Sequence, residues 1–177
     1  MCHESVLSFG QTLITRDDVL GKAVIEVGSF DVNGSLRSHV TNLLPLYYIG
    51  VDMREGPGVD LVCDATRLVE QFSFRFDLLI STEMLEHVID WKTAISNMKR
   101  VLCPGGKVIL TTRSPGFPLH EYPSDYWRFT VDDMQKIFSD FEDVKVLNDL
   151  QAPGVFVSAR KPVEFHEREP DITPGRP

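Results

Sequence analysis

The sequence predicts an α/β protein in which a doubly wound, mostly parallel β-sheet is covered by helices. Short apolar runs typical of buried strands alternate with segments of helical periodicity, which is the pattern of successive βαβ units. The chain has 177 residues, of which 42% are apolar, and this suits a single domain with one core. We expect that domain to span residues 1–160, and we expect the polar, proline-rich residues 161–177 to form a flexible tail.

Seven segments have the length and composition of strands. The first, Ala23–Val27, is a short apolar run that contains Glu26 and is followed by Gly28. The remaining segments, in chain order, are residues 46–51, 60–63, 76–80, 107–112, 144–147 and 155–159. Their number and spacing predict about seven strands in one sheet.

Three segments show helical spacing or helix-start signals. After the first strand, apolar residues recur on one helical face before Pro45: Leu36, Val40, Leu43 and Leu44. A second helix is predicted to begin after Asp90, and its apolar face consists of Trp91, Ala94, Ile95, Met98 and Leu102. Thr130 and Asp133 have capping-box spacing and predict a third helix, with apolar residues Met134, Ile137, Phe138 and Phe141.

Composition and charge argue against several classes of protein. The formal net charge is −8, whereas binding to nucleic acid phosphates requires a basic surface. No apolar run approaches the ~20 residues that span a membrane, and the N-terminal residues lack the pattern of a signal peptide. The 3 cysteines form no C-x-x-C pair, which argues against a disulfide framework or a zinc site. We therefore expect a cytoplasmic monomer or homodimer with no nucleic acid or membrane partner.

Loops at the carboxyl ends of the predicted strands form the expected ligand site, since open parallel sheets bind ligands there. The first of these loops, residues 26–35, passes from a strand to a helix and contains Gly28 and Gly34. Glycine lets backbone N–H groups approach a ligand closely at a helix N-terminus. Phe30 takes the place of the second glycine of the dinucleotide pattern G-x-G-x-x-G, so a pyrophosphate fits poorly.

Carboxylates follow the next two strands. Asp52 ends the second strand, from where it can accept hydrogen bonds from both hydroxyls of a ribose. Met53 can cover one face of a base, although core packing explains this methionine equally well. Asp64 and Ala65 follow the third strand, where a carboxylate can accept a hydrogen bond from the exocyclic amine of adenine. Together these residues predict a crevice that binds a nucleoside.

Five segments, taken in order, resemble the class I S-adenosylmethionine-dependent methyltransferases of the methyltransferase type 11 family. They are EVGSFDVNGS, YIGVD, VDLVCDAT, FDLLISTEMLEHV and RVLCPGGKVILTT, and the resemblance extends from about residue 22 to about residue 141. It implies a Rossmann-like sheet with an antiparallel last strand, S-adenosyl-L-methionine as methyl donor and S-adenosyl-L-homocysteine as product. The first loop departs from the family pattern, since members commonly have more glycine where this chain has Phe30 and Val32.

By this resemblance, the cofactor is held by the loops after the first four strands. The methionine end lies against the backbone of the first loop, the ribose against Asp52, and the adenine against Asp64 and Ala65. Ser81 and Thr82 offer backbone contacts to the amino-acid end of the cofactor. With Met53 added from its position after Asp52, the expected cofactor-binding residues are Glu26, Gly28, Ser29, Asp31, Gly34, Asp52, Met53, Asp64, Ala65, Ser81 and Thr82.

The loop between the fifth strand and the last helix, residues 113–130, is the expected wall of the acceptor pocket. It is long, aromatic and charged, and long loops in compact domains are usually functional. Its H-x-x-P-x-D-Y-W-R-F-T pattern also resembles a subgroup of these methyltransferases. The expected substrate-binding residues are Arg113, Tyr122, Asp125, Tyr126 and Arg128. The alternative is that the aromatic side chains only anchor this loop on the sheet, and that Arg113 and Arg128 pair with Asp125 and Glu121 instead of binding an anionic acceptor.

Two histidines are candidate catalytic bases, because an unperturbed imidazole has a pKa near ~6.5. His120 lies in the acceptor loop, and His87 follows the fourth strand in STEMLEHV, where it has the alternative role of shaping the cofactor loop. We expect no metal site, since the His, Asp and Glu residues show no convincing ligand spacing. Glu83 and Glu86 are instead interpreted as a helix-start carboxylate and a solvated or pairing group.

The predicted function is transfer of a methyl group from S-adenosylmethionine to an oxygen, nitrogen or carbon atom of a small molecule. One alternative is a non-catalytic cofactor-binding subunit, because little of the chain remains for acceptor recognition. A nicotinamide-dependent dehydrogenase is disfavoured, since the second glycine is missing and the Pro-Gly-Gly sequence at residues 104–106 has no role in it. Other cofactor chemistry on the same fold remains an alternative, because one fold hosts many activities.

Overall fold

The computed structural model describes residues 4–120 and 124–177, and its seven strands form one sheet in the order β3-β2-β1-β4-β5-β7-β6. The strands are β1 (Ala23–Val27), β2 (Tyr47–Asp52), β3 (Leu61–Val62), β4 (Phe76–Thr82), β5 (Leu102–Arg113), β6 (Glu142–Asn148) and β7 (Gly154–Arg160). The first five are parallel, and β7 runs antiparallel to both β5 and β6. The predicted α/β fold with an antiparallel last strand is therefore confirmed.

Helices cover both faces of this sheet. They are α1 (Glu4–Leu13), α2 (Arg16–Val19), α3 (Arg37–Asn42), α4 (Leu68–Gln71), α5 (Trp91–Val101) and α6 (Val131–Ile137), with short 3-10 helices at Ala65–Arg67 and Leu85–His87. Successive residues of the central strands point to opposite faces. Val24 belongs to the core beneath α1, α2 and α3, whereas Ile25 belongs to the core beneath α4, α5 and α6. Burial on both faces explains why β1 reads as a continuous apolar run.

The predicted helix-start signals form the expected hydrogen bonds. Oδ1 of Asp90 accepts from the N–H of Thr93 at 3.2 Å, so Asp90 is the N-cap of α5. Thr130 and Asp133 form a capping box at the start of α6, with hydrogen bonds of 2.8 and 3.1 Å. The observed starts of α5 and α6 agree with the predicted ones, because a capping motif is specified by residues of a single helical turn.

Two boundaries differ from the prediction. Strand β5 begins at Leu102, so the Pro-Gly-Gly sequence at residues 104–106 lies within the strand. Helix α3 ends at Asn42, before the predicted apolar face is complete, and Leu44 has a φ of +62°. Neither difference moves the carboxyl ends of the strands, where the candidate site lies.

The segment 161–177, which its composition predicts to be a flexible tail, makes specific contacts with the domain. The Lys161 ammonium donates to the carbonyl oxygens of Lys99 and Leu102 at 2.7 and 2.8 Å. Gly175 forms an isolated antiparallel bridge with Arg128, behind the acceptor loop. These contacts join residues that are distant in sequence, so the composition of the segment does not reveal them. Within the described parts of the chain, no helix is long and apolar enough to span a membrane.

Candidate functional site

A cavity of about 560 Å³ opens at the carboxyl ends of β1, β2 and β4. The chain runs from β1 to β2 on one side and returns to β4 on the other, which makes this edge the switch point of the sheet. Of the predicted cofactor-binding residues, the following line the cavity: Glu26, Gly28, Ser29, Asp31, Gly34, Asp52, Met53, Asp64, Ala65 and Thr82. The residues predicted from the sequence therefore converge on one space.

The turn after β1 requires glycine at position 28. Gly28 has a φ of +82°, and a Cβ there would lie 2.4 Å from Cγ of Met84. The N–H groups of Gly28 and Ser29 both donate to the carbonyl oxygen of Val51, at 2.9 and 3.0 Å. This turn therefore leaves β1 sharply, close to the loop that follows β4.

Asp31 holds the rest of the first loop in place. Its Oδ1 accepts a hydrogen bond of 2.7 Å from the N–H of Gly34, and its own N–H donates to the carbonyl oxygen of Pro57 at 2.8 Å. Gly34 has a φ of +112°, which a side chain would disfavour. The carboxylate of Asp31 thus shapes the loop as well as lining the cavity.

Glu26 is a buried carboxylate at the start of this loop. Tyr48 donates a hydrogen bond to its Oε2, and Ser35 Oγ lies 3.5 Å from the same atom. Burial raises the pKa of Glu26 to about 7, against the opposing effects of the Tyr48 hydrogen bond and the positive charge of Arg37. Glu26 can therefore gain or lose a proton near neutral pH.

Asp52 lies at the end of β2, beside the first loop. Its Oδ2 is 3.4 Å from the N–H of Phe30, and its Oδ1 accepts from the N–H of Arg54 at 3.2 Å. Met53 is 60% exposed, so it belongs to the cavity rim and not to the core. A half-buried carboxylate beside an exposed thioether suits the ribose and base positions that the sequence assigns to this pair.

Asp64 caps the short 3-10 helix after β3. Its Oδ1 accepts from both the N–H and the hydroxyl of Thr66 at 2.8 Å, which leaves Oδ2 outside these two hydrogen bonds. Ala65 is buried at the cavity wall. The two residues lie where the sequence places the adenine edge.

Ser81 does not line the cavity, although its neighbour Thr82 does. The side chain of Ser81 is fully buried within β4, and its Oγ has no hydrogen-bond partner among residues 4–120 and 124–177. The alternation of side chains along a strand explains the difference. The side chain of Ser81 thus lies behind the wall of the site, and the contact that the resemblance implies for Ser81, through its backbone, stays a prediction.

His87 and His120 lie together at the end of the cavity opposite the third strand, beside the buried Glu86. Oε1 of Glu86 is 3.9 Å from Nε2 of His87 and 3.8 Å from Nε2 of His120. Both histidines line the cavity, and their ring centroids are 4.8 Å apart. The sequence predicts each histidine separately, and the structure places them side by side.

Each member of this cluster has a second contact that fixes its orientation. Nδ1 of His87 is 2.5 Å from the carbonyl oxygen of Ser124, and Nδ1 of His120 is 2.9 Å from Oδ2 of Asp125. Oε2 of Glu86 accepts from the Thr112 hydroxyl at 2.8 Å. Burial alone would raise the pKa of Glu86, but His120 and the other neighbours hold it below its usual value. The charged form of this carboxylate is therefore favoured.

Arg113 is buried behind the cavity and does not line it. Its Nε forms an ion pair with the carboxylate of Glu83, and its guanidinium carbon lies 4.0 Å from the centroid of the Phe117 ring. Its charge is compensated inside the protein by Glu83, and the assignment of Arg113 to substrate binding stays a prediction. Its contacts position β5 and the acceptor loop.

Arg128 and Asp125 also lie behind the wall and do not line the cavity. Their side chains form two hydrogen bonds of 2.5 and 2.7 Å, and Arg128 donates to the carbonyl oxygen of Pro118 at 3.1 Å. This pair therefore fastens the acceptor loop, as in the pairing alternative that the sequence leaves open for Arg128, and a role of either residue in substrate binding stays a prediction. Tyr126 does line the cavity, as predicted, whereas Tyr122 lies outside the described residues.

Comparison with known proteins connects this geometry to a family. Residues 33–110 match the family model named methyltransferase domain. This range lies within the stretch, from about residue 22 to about residue 141, over which the sequence resemblance extends. The resemblance to class I methyltransferases is confirmed. The matched part of the domain runs from the loop after β1 to β5 and includes Asp52, Asp64 and His87.

Curated proteins similar to this chain include ubiquinone biosynthesis O-methyltransferases. The Pseudomonas putida protein is 32% identical over 111 residues, which is 55% of this chain and 47% of that protein. The mitochondrial protein of Homo sapiens is 39% identical over 51 residues, which is 29% of this chain and 14% of that protein. The chain thus spans about half the length of the bacterial relative and less of the human one.

Solved structures share the fold of this chain at low sequence identity. The Burkholderia thailandensis 1,6-didemethyltoxoflavin-N1-methyltransferase has a TM-score of 0.69 at 17% identity, covering 90% of this chain and 79% of that chain. An S-adenosylmethionine-dependent methyltransferase from Mesorhizobium loti has a TM-score of 0.63 at 18% identity, covering 87% and 96%. At such identities the likeness concerns the fold alone.

Three residues of the site were not predicted from the sequence to belong to it: Tyr48, Met84 and Glu86. Tyr48 and Glu26 lie on the same sheet face because Tyr48 pairs with Val24 in the parallel register of β1 and β2. That register is the signal from which this contact could have been predicted. No comparable signal exists for Met84, beneath Gly28, or for Glu86, beside the two histidines. Both belong to the short turn and 3-10 helix after β4, which has no strand register.

Proposed function

We propose that this methyltransferase domain binds S-adenosyl-L-methionine in the cavity and transfers its methyl group to a small-molecule acceptor. The observation that carries the proposal is the convergence of Glu26, Asp52 and Asp64 on one cavity, each at the end of a different parallel strand. Such a row of acceptors suits the amino, ribose and adenine groups of a nucleoside that carries an amino acid. The family match and the shared fold support the same ligand.

The residues present fit this cofactor. The positive φ of Gly28 keeps the space beside Met84 free of a Cβ, so backbone can approach a ligand there. Glu26 would accept a hydrogen bond from the ammonium group, Asp52 from the ribose hydroxyls and Asp64 from the adenine amine. Met53 at the rim would cover the base. The cofactor supplies a methyl group that its sulfonium already activates.

The chain itself must align the acceptor with the methyl donor, which is the main source of rate in such a displacement. His87, His120 and Tyr126 line the far end of the cavity, and they are the groups that face an acceptor there. The two imidazoles are placed to promote loss of the acceptor proton. The acceptor loop, fastened by Asp125 and Arg128, forms the wall that excludes water.

The acceptor we propose is a small molecule, and the site of action we propose is the cytoplasm. The net charge of −8 disfavours an acceptor that carries a phosphate backbone. The ubiquinone and toxoflavin methyltransferases act on different molecules, so they do not choose between an oxygen and a nitrogen acceptor.

Calorimetric titration of the full chain with S-adenosylmethionine, S-adenosylhomocysteine and NAD tests the donor site. We expect the first two to bind and NAD not to bind. Asp52→Ala should weaken binding of both by at least about tenfold, since buried ribose hydroxyls lose their acceptor. The control is Asp171→Ala, a change at an exposed carboxylate outside the cavity. Absence of binding, or equal affinity of the Asp52 variant, overturns the proposal.

Incubation with cell extract and a labelled methyl donor tests the transfer step. A labelled product that depends on the added protein supports an enzyme with a small-molecule acceptor. Binding of S-adenosylmethionine without a product in any extract would instead favour the non-catalytic subunit, which is the alternative that the sequence leaves open.

A further inference from the structure

We propose that Glu86, His87 and His120 form a binding site for a divalent transition-metal cation, such as Zn²⁺ or Mn²⁺, at the acceptor end of the cavity. Two imidazoles and one carboxylate are a ligand set that such cations accept. The ligand atoms of the three side chains all lie within 4.8 Å of one another. This differs from the sequence-based expectation of no metal site, because His120 comes from a distant loop.

The carboxylate of Glu86 has one oxygen without a partner, and this oxygen points toward both histidines. Glu86 is fully buried, and Oε1 has no hydrogen-bond partner within residues 4–120 and 124–177. Its other oxygen is held by the Thr112 hydroxyl. A buried carboxylate oxygen without a partner is costly, and a cation between the three side chains would compensate its charge.

The distances between the ligand atoms of Glu86, His87 and His120 are longer than those between atoms that share a bound cation. Ligand atoms about 2.0–2.2 Å from a metal lie roughly 3–3.5 Å from one another. The distances from Oε1 of Glu86 to the two Nε2 atoms are 3.8 and 3.9 Å. All ligand atoms lie within 4.8 Å of one another, so side-chain rotations that bring them closer by up to roughly 1–2 Å complete the site.

The outer nitrogen of each imidazole lies beside an oxygen atom of the kind that orients metal-binding histidines, as a hydrogen-bond contact for His87 and as an ion-pair distance for His120. His87 has the carbonyl oxygen of Ser124 beside Nδ1, and His120 has the carboxylate of Asp125 beside Nδ1. Such partners fix the ring orientation and direct the free Nε2 at the metal. Arg128 holds Asp125 in turn, so the second contact of His120 is itself rigid.

The site would be open toward the acceptor. His87 and His120 line the cavity together with Tyr126, whereas Glu86 lies behind them. Three protein ligands leave at least one coordination position for an oxygen atom. The chemistry therefore points to an acceptor hydroxyl, whose pKa a bound cation would lower. This last step rests on the proposed function, whereas the metal site itself does not.

In that reaction the acceptor oxygen forms a bond to the methyl carbon while the carbon–sulfur bond breaks. The electron pair of the broken bond stays on sulfur, which gives S-adenosylhomocysteine, and the hydroxyl proton passes to solvent. The histidines would then act as ligands and not as the general bases that the sequence suggests.

Titration of the chelator-treated full chain with ZnCl₂, MnCl₂ and CoCl₂ tests the site. We expect one equivalent of metal to bind and Co²⁺ to produce visible d–d absorption. His120→Ala and the isosteric Glu86→Gln should each weaken binding by at least about tenfold. His166→Ala, a change at an exposed histidine outside the cavity, is the matched control. Thermal unfolding of each variant shows whether it is folded.

The outcomes separate this inference from the proposed function. No binding of any of the three cations, or binding that both variants retain, overturns the metal site. Calorimetry with S-adenosylmethionine on metal-free protein tests the donor site independently. Metal binding without S-adenosylmethionine binding would support the metal site and refute the proposed function. Binding of S-adenosylmethionine without metal binding would support the proposed donor site and refute the metal site.

Discussion

The hydroxyl of Tyr48 donates a hydrogen bond to Oε2 of Glu26, which joins β2 to β1 beneath the first loop of the cavity. The bond favours the charged form of Glu26, whereas burial favours the neutral form, and burial has the larger effect. The result is a carboxyl group in the candidate cofactor site whose pKa is about 7. Its charge therefore changes within the range of pH in which proteins are usually studied.

The affinity for S-adenosylmethionine should rise with pH between about 6 and 8. A cofactor ammonium group binds the charged carboxylate, so below a pKa of about 7 binding must first remove the proton of Glu26. Affinity at pH ~6 should then be about tenfold weaker than at pH ~8, since roughly one Glu26 in ten is charged at the lower pH. Calorimetric titration across this range of pH measures the change directly.

Two variants show whether Glu26 is responsible. Glu26→Gln should bind more weakly than the wild type at the upper end of this range, and its affinity should not change with pH. Tyr48→Phe should move the midpoint of the pH dependence upward, because the charged form loses a hydrogen-bond donor. A wild-type affinity that stays constant across the same range would refute the role of Glu26.

Gly28→Ala should weaken S-adenosylmethionine binding by at least about tenfold. The new Cβ would lie 2.4 Å from Cγ of Met84 at a φ of +82°, so both the turn and the loop after β4 must shift. Gly105→Ala is the matched control, since Gly105 has a φ of +77° but a Cβ added there would meet no atom within 4 Å. The control should lose some stability, of order 1–3 kcal/mol, and keep its affinity. Equal affinity of the two variants would contradict the close approach at Gly28.

Local signals in the sequence predicted those parts of the structure that depend on neighbouring residues. The run Ala23–Val27 and the capping box of Thr130 and Asp133 are each specified within a few residues. The acidic residue Asp52 was predicted because the end of a parallel strand faces the ligand edge wherever the strand lies in the sheet. These signals need no knowledge of tertiary contacts.

Contacts between distant segments were not predictable in the same way. Arg113 is oriented by Glu83 and Phe117, and Arg128 by Asp125 and a backbone carbonyl. The sequence leaves open whether these arginines bind an acceptor or pair with acidic residues, and only the folded loop shows the partners. The contact between His120 and Glu86 depends on how the acceptor loop folds back over β4 and β5. No spacing within the sequence encodes that path.

Arg128→Met should lower the free energy of unfolding by about 3 kcal/mol or more, because it leaves the buried carboxylate of Asp125 without its main partner. Arg128→Lys should lose less, since an ammonium keeps the charge but not the two parallel hydrogen bonds. Urea denaturation measures both losses. Affinity for S-adenosylmethionine should change little, as Arg128 does not line the cavity. A large loss of cofactor affinity in a folded variant would show a role beyond fastening the loop.

Asp140→Asn should lower the free energy of unfolding by about 3–5 kcal/mol, because it leaves the ammonium of Lys99 buried without its counter-charge. Lys99 donates to both carboxylate oxygens of Asp140, at 2.9 and 2.8 Å, and these side chains are each 1% exposed. The matched control is Glu169→Gln, which removes the partner of Lys92 from a pair whose side chains are 44% and 82% exposed. That control should change the free energy of unfolding by less than about 1 kcal/mol, since water screens an exposed pair. Urea denaturation compares the two variants, and similar losses would contradict the importance of burial.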